Sequence, residues 1–155
     1  MSNFYNLSRG ISLLEILIVI AILAGLSAAG AGYFHNTVTT IESQATSKTL
    51  MSDIKNVRAK SMAGENNMKW GMRAVNSADD YYEIFSTPTN YIDVLTAVHS
   101  TTTLPRGVIF TNPGEGLSKE IIFSKISGTA TAMTLGLSSL GDTATITVTA
   151  QGTVY

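Results

Sequence analysis

Arg9-Gly10-Ile11-Ser12-Leu13-Leu14-Glu15 opens the segment of this chain on which the rest of the fold turns. From Ile11 to Phe34 run 24 residues with a single charge, Glu15. A helix of about 20 apolar residues suffices to cross a hydrocarbon core of about 30 Å. Residues 11–34 are therefore expected to form the transmembrane half of an N-terminal helix. Arg9 and the terminal amine are the only positive charges before it, and a positive-inside orientation rests on them. Residues 1–10, otherwise uncharged and without periodicity, have the character of a leader.

The apolar run ends without a stop signal. Gly30 and Gly32 loosen it, and Tyr33, Phe34 and His35 sit where amphipathic rings favour a membrane–water interface. No proline follows until Pro88, and the pattern becomes amphipathic over 35–63. Val38, Ile41 and Ala45, then Leu50, Ile54, Val57 and Ser61, step by three or four residues along one helical stripe. One long helix from about Ile11 to Ala63 is the expectation, stopped by Gly64 and Asn66-Asn67.

From residue 64 to 155 the texture changes to short β-type runs separated by turns. Strands are expected at Met68–Val75, Tyr81–Phe85, Tyr91–Val98, Gly107–Phe110, Glu120–Ser124, Thr131–Leu135 and Ala144–Thr149. The Thr-rich stretch Ser100–Thr103 is expected as a loop, and Gln151–Tyr155 as a turn with a final short strand. Thr145, Thr147 and Thr149 alternate with apolar residues, as in a half-buried antiparallel strand. A helix followed only by strands implies an α+β fold with segregated elements.

Composition removes several classes of function. The 155 residues include no cysteine, which excludes disulfides and thiolate metal sites. Ten Lys and Arg stand against eleven Asp and Glu, for a net charge of −1. They do not cluster, so a nucleic-acid partner is not expected. His35 and His99, the two histidines, lie far apart on different expected elements. Asp79-Asp80 reads as a solvated turn before a strand rather than a paired acid/base site. Asn112-Pro113-Gly114-Glu115-Gly116 is a turn that lacks the lysine and following helix of a phosphate loop. Glu115 and Asp142 have no spaced run of oxygen ligands around them, and Trp70 reads as core. No enzyme activity, cofactor or metal is expected.

Gly10 followed by Ile11-Ser12-Leu13-Leu14-Glu15-Ile16-Leu17-Ile18-Val19-Ile20-Ala21-Ile22-Leu23 resembles the class III signal of type IV pilins and pseudopilins. The resemblance implies that prepilin peptidase cuts after Gly10, the last leader residue. Ile11 would then be the N-methylated mature N-terminus. It also implies that Glu15, the fifth mature residue, pairs with a neighbouring subunit's N-terminal amine during assembly. Independently of the resemblance, a carboxylate among apolar side chains costs a few kcal/mol and calls for a partner. Two departures stand out: Ile11 where the family usually has phenylalanine, and Gly32 where proline often breaks the helix.

The head also has family texture. It resembles the minor pseudopilin H group of type II secretion and the FimT group of minor pilins. The landmarks are Val57–Ala63, Trp70-Gly71, Leu104–Val108, Ile122–Ser124 with Gly128, and Ile146–Val148 with Gly152. They imply a pilin-like fold, two packed antiparallel sheets beside the helix. FimT relatives bind DNA through basic residues around the C-terminal glycine, whereas Gln151–Tyr155 here holds no Arg or Lys. That role does not carry over.

The expected protein is a structural minor pseudopilin or pilin, single-pass in the inner membrane with an extracytoplasmic head. Its partners would be prepilin peptidase, the membrane and other pilin-like subunits. Small residues such as Ala24, Gly25, Ala28, Ala29 and Gly32 would allow close helix approach. Two alternatives remain: a pilus-tip binding module serving adhesion or DNA uptake, and a secreted soluble β-protein. The second would use Ala29-Gly30-Ala31 as an ordinary signal-peptide cleavage site.

Overall fold

A computed structural model describes residues 12–139 and 142–155, the side chains of 29–43 excepted. The chain divides into two compact units, Met1–Thr37 and Val38–Tyr155. Helical backbone falls within Leu13–Met62 (α1), and its side chains are described over two stretches, 13–28 and 44–62. The expected single long N-terminal helix with a membrane-spanning half is corrected on this ground. The second stretch carries Lys48, Asp53, Lys55, Arg58 and Lys60. Among the described residues no helix is long and apolar enough to cross a membrane.

The stretch 44–62 turns one face inward. Ser47, Leu50, Ile54, Val57 and Ser61 are buried, three or four residues apart, so they share one side of the helix. Helical pairing ends where Gly64 takes a left-handed conformation (φ 66°) and its N–H bonds the Ser61 carbonyl. The short 3₁₀ turn Glu65–Asn67 follows, with Asn66 and Asn67 also at positive φ.

Seven strands make two antiparallel sheets: β1 (Lys69–Val75), β2 (Tyr81–Thr87), β3 (Ala97–Thr103), β4 (Val108–Asn112), β5 (Ser118–Phe123), β6 (Met133–Ser139) and β7 (Asp142–Val148). The first sheet has the order β3-β2-β1-β5 and the second β4-β6-β7. An α+β fold with a two-sheet β region thus stands. The expected third strand does not: Tyr91–Val98 is mostly connection, and the Thr-rich run expected as a loop forms β3. The threonines are β-branched and pair with Tyr81–Glu83, while Asn90 and Asp93 turn their side chains onto nearby backbone N–H groups.

One core joins both sheets to the helical stretch. Trp70, Met72 and Ala74 alternate on the inner face of β1, with Ile121 and Phe123 on the same face of β5. Val108 and Phe110 of β4, Leu135 and Leu137 of β6, and Ile146 and Val148 of β7 close from the other sheet. On the outer face of β1, Phe85 lies across Gly71. A Cβ there would come within 2.6 Å of both the Phe85 ring and the Ile121 carbonyl, so the position requires glycine.

Polar side chains lock the layers. Asp80 is 6% exposed, which corrects the expectation of a solvated Asp79-Asp80 turn; Asp79 alone faces solvent. The Asp80 carboxylate accepts the Ser77 N–H (2.8 Å) and the Phe110 N–H (2.6 Å). Asn76 Nδ2 donates to the Phe110 carbonyl (2.7 Å) and the Pro113 carbonyl (2.8 Å). The β1–β2 turn therefore holds both backbone groups of Phe110. At the helix end, Ser61 Oγ donates to the Phe123 carbonyl (2.6 Å), fixing α1 to β5.

Replacing Asp80 by alanine strands a buried Phe110 N–H and should destabilise the head by about 2–3 kcal/mol. Asp79→Ala should stay within about 0.5 kcal/mol, as expected of a surface change. Urea unfolding followed through the single tryptophan, Trp70, measures both. Equal effects would remove the clamp.

Candidate interaction surfaces

The first described helical turn begins at Ser12, whose carbonyl accepts the N–H groups of Glu15 (3.0 Å) and Ile16 (3.2 Å). Ser12 and Glu15 have the Ser-x-x-Glu spacing of a capping box, and a carboxylate in a first turn is favoured by the helix dipole. Glu15 is exposed and belongs to neither ion pair found among the described residues, Lys60–Glu65 and Arg73–Glu83. It borders a shallow depression of about 250 Å³ with Ile16, Val19 and Ile20. Gly10 and Ile11, the expected processing residues, lie outside the described residues. So do the side chains of Ala29, Gly30, Gly32, Tyr33, Phe34 and His35.

Around this stretch the usual rule of burial is reversed. The ten large aliphatic side chains from Leu13 to Leu26 are 49–81% exposed. Monomeric soluble proteins rarely expose apolar surface of that extent. In the head, by contrast, the large aliphatic residues of 44–62 are buried.

The structure gathers three of the separate sequence landmarks at one point. Arg58 Nε donates to the Gly128 carbonyl (3.1 Å) and its Nη2 to the Gln151 carbonyl (2.9 Å). Gly152 sits at φ 76°, and a Cβ there would lie 2.0 Å from the Gly128 carbonyl oxygen. A Cβ at Gly128 would strike Met62 at 2.6 Å. The C-terminal tail is thus pinned to the last turns of α1, and Val154 bridges to Val148. The tail has no basic residue of its own, yet the fold brings it Arg58. Sequence order alone does not reveal that arrangement.

Trp70 lies in the core, with Nε1–H donated to the Glu65 carbonyl (3.1 Å). The Lys60 ammonium stands 4.3 Å from the Trp70 ring centroid, and exposed His99 stacks on the ring at 4.5 Å. His99 Nε2 and Ser86 Oγ are 2.8 Å apart. His99 is the extra residue of a bulge where the β2–β3 register shifts beside Ile84 and Phe85. These groups hold one another as a packed surface cluster. No three His, Asp or Glu residues come together as metal ligands among the described residues. Glu115 is exposed on the turn after the Asn112-Pro113 bond, which is cis. Asp142 begins β7.

A cleft of about 320 Å³ lies between residues 45–49 of the helix and the β2–β3 edge, lined by Thr46, Thr49, Tyr82, Thr102 and Pro105 among others. The Tyr82 hydroxyl donates to Asp53 Oδ2 (2.7 Å). Burial, then the hydrogen bond to Asp53, raises this phenol from 10.0 to about 12. Compared with protein-family models, curated proteins and solved structures, the chain matches none of them.

Tyr82 keeps its proton in the folded head at pH values where the unfolded chain loses it. Its contribution is complete below pH 10 and falls as pH rises through about 12. Tyr82→Phe should cost about 1–2 kcal/mol at pH 8 through the lost hydrogen bond. The gap between wild type and variant should narrow at pH 11. Urea unfolding at both pH values checks this; a constant gap would contradict it.

Proposed function

We propose that this chain is a structural subunit of a pilin-like filament, a minor pseudopilin or minor pilin. It is released from its leader between Gly10 and Ile11 and assembled with other pilin-like subunits. One observation carries the reading: an N-terminal helical stretch that exposes its large aliphatic side chains all round, whereas the helical stretch 44–62 buries Leu50, Ile54 and Val57. Such a stretch gains free energy only when lipid or neighbouring apolar helices cover it.

Membrane anchoring through segment 11–34, with the head outside the cytoplasm, belongs to the same proposal. It rests on the sequence, which has one charge in 24 residues, because among the described residues no helix is long and apolar enough to cross a membrane. Glu15 supports assembly because it is a carboxylate flanked by apolar residues and belongs to neither ion pair among the described residues. In apolar surroundings it requires a cationic partner, and the Ile11 amine of a neighbouring subunit supplies one. The machine served is a type II secretion pseudopilus or a type IV pilus. The head contributes packing rather than chemistry.

Intact-mass analysis of the protein produced with and without a prepilin peptidase tests the reading. The expected product starts at Ile11, carries one N-methyl group and appears only with the peptidase. Cleavage near Ala31 would support the secreted soluble alternative and sink the proposal. Glu15→Ala should be processed normally yet fail to enter filaments, measured as the subunit fraction in sheared filament preparations. Normal incorporation would remove the role given to this carboxylate.

A further inference from the structure

The connection between β2 and β3 is built inside out. Its polar side chains bond one another and its own backbone: Thr89 Oγ1 donates to Asp93 Oδ2 (2.6 Å), and Asp93 Oδ1 accepts the Leu95 N–H (3.0 Å). Asn90 Oδ1 accepts the Ile92 N–H (3.1 Å), and Thr96 Oγ1 donates to the Asn90 carbonyl (3.1 Å). Tyr91 is its anchor, edge-on to Phe85 at 4.9 Å with its hydroxyl donated to Glu83 (2.7 Å). With the polar groups turned inward, the aliphatic ones are left outside. Ile92 is 88% exposed, Val94 96% and Leu95 63%. An ordinary surface loop has the opposite distribution.

The ledge adjoins an open sheet edge. β3 is the terminal strand of the order β3-β2-β1-β5, and all seven of its residues are exposed. Ala97–Thr103 contains no Lys, Arg, Asp, Glu or Pro, the residues that usually blunt such an edge. The other free edges differ: β5 carries Lys119 and Glu120, β4 has five residues, and β7 is bridged by Val154. The bulge at His99 is confined to one end of β3. Ser100–Thr103 keeps regular register with Tyr81–Ile84.

We propose that β3 and the Ile92–Leu95 ledge form a self-pairing surface, occupied by β3 of a second copy of this chain. Two copies meet antiparallel about a two-fold axis near Thr101, fusing two four-stranded sheets into one. The argument for this occupant is complementarity. A partner for this edge needs an uncharged strand flanked by aliphatic side chains, and β3 is the described edge that offers both. Self-pairing brings no like charges together within the strands, and it sets Thr101 opposite its own copy and Thr102 opposite Ser100, which favours cross-strand contact. Asp93 is the ledge's one charge, and its carboxylate is already engaged by Thr89 and Leu95. Lipid would cover the ledge but leave the outward N–H and C=O groups of β3 without partners. Pairing through the head is independent of leader processing.

The chain has no native cysteine, so a single introduced thiol reports one contact. Full-length protein in detergent micelles, carrying Thr101→Cys, is treated with a short bis-maleimide. The expected result is a crosslinked dimer at least five-fold more abundant than with Ile126→Cys, a residue 79% exposed on another loop. Adding Val94→Asp to Thr101→Cys should lower the dimer at least five-fold. The Trp70 unfolding curve should not change, because Val94 packs against little in the single chain. Equal crosslinking from the two cysteines would mean nonspecific association through the apolar stretch and would overturn the proposal. A monomeric Thr101→Cys protein, or a dimer indifferent to Val94→Asp with unchanged unfolding, would overturn it as well.

Discussion

Both backbone polar groups of Phe110 are held by side chains from the turn between β1 and β2, and the union of the two sheets depends on this clamp. Asp80 takes the N–H and Asn76 supplies a donor to the carbonyl. A backbone group buried without a partner costs about as much as a lost hydrogen bond, so the clamp lets Phe110 sink into the core at little polar penalty. Asn76 also ties Pro113, and its backbone pairs with Gly116 and Leu117. The β4–β5 connection therefore returns to the end of β1, where β5 can pair. Remove the clamp, and the second sheet loses its fixed place over the first.

With no disulfide to help, the head depends on one apolar core shared by three layers. Fully burying each aromatic or large aliphatic side chain contributes about 1.5–3 kcal/mol. The helical stretch 44–62 completes that core, and small groups set how closely the elements approach. Gly71 admits Phe85, while Gly128 and Gly152 admit Met62 and the Arg58 guanidinium. The N-terminal stretch follows the opposite logic and buries little in the single chain. The two differ in kind: the head has its own interior, and the described side chains of the N-terminal stretch have none.

Much of the head was legible in the sequence because its signals are local. The three-or-four spacing of Leu50, Ile54, Val57 and Ser61 marks a buried helical face, and the Gly64–Asn67 stop is a matter of backbone preference. Six strands sit close to where alternation and turn residues put them. The third misled because Tyr91–Val98 is rich in aliphatic residues, which usually signal burial. Here Asn90, Asp93 and Thr96 take up the local hydrogen bonds and leave Ile92, Val94 and Leu95 in solvent. The Asp79-Asp80 pair misled for a related reason. A carboxylate in a turn looks solvated until a distant strand delivers an N–H to it.

The sequence by itself determined where the apolar N-terminal segment lies, that Glu15 is its single charge, and that a helical stripe precedes a β-rich head. Those features follow from composition and periodicity, which act over one or two turns of chain. Tertiary structure alone decided that Asp80 and Asn76 grip Phe110, and that Arg58, Gly128 and Gly152 meet. It also decided that the aliphatic residues before β3 face outward beside an open edge. Each of these joins residues distant in sequence or reverses a local preference, and only the packed chain settles which groups find partners. The stretch that opens at Arg9 keeps its weight for a related reason: its described side chains, Leu13 to Leu26, stay largely exposed in the single chain.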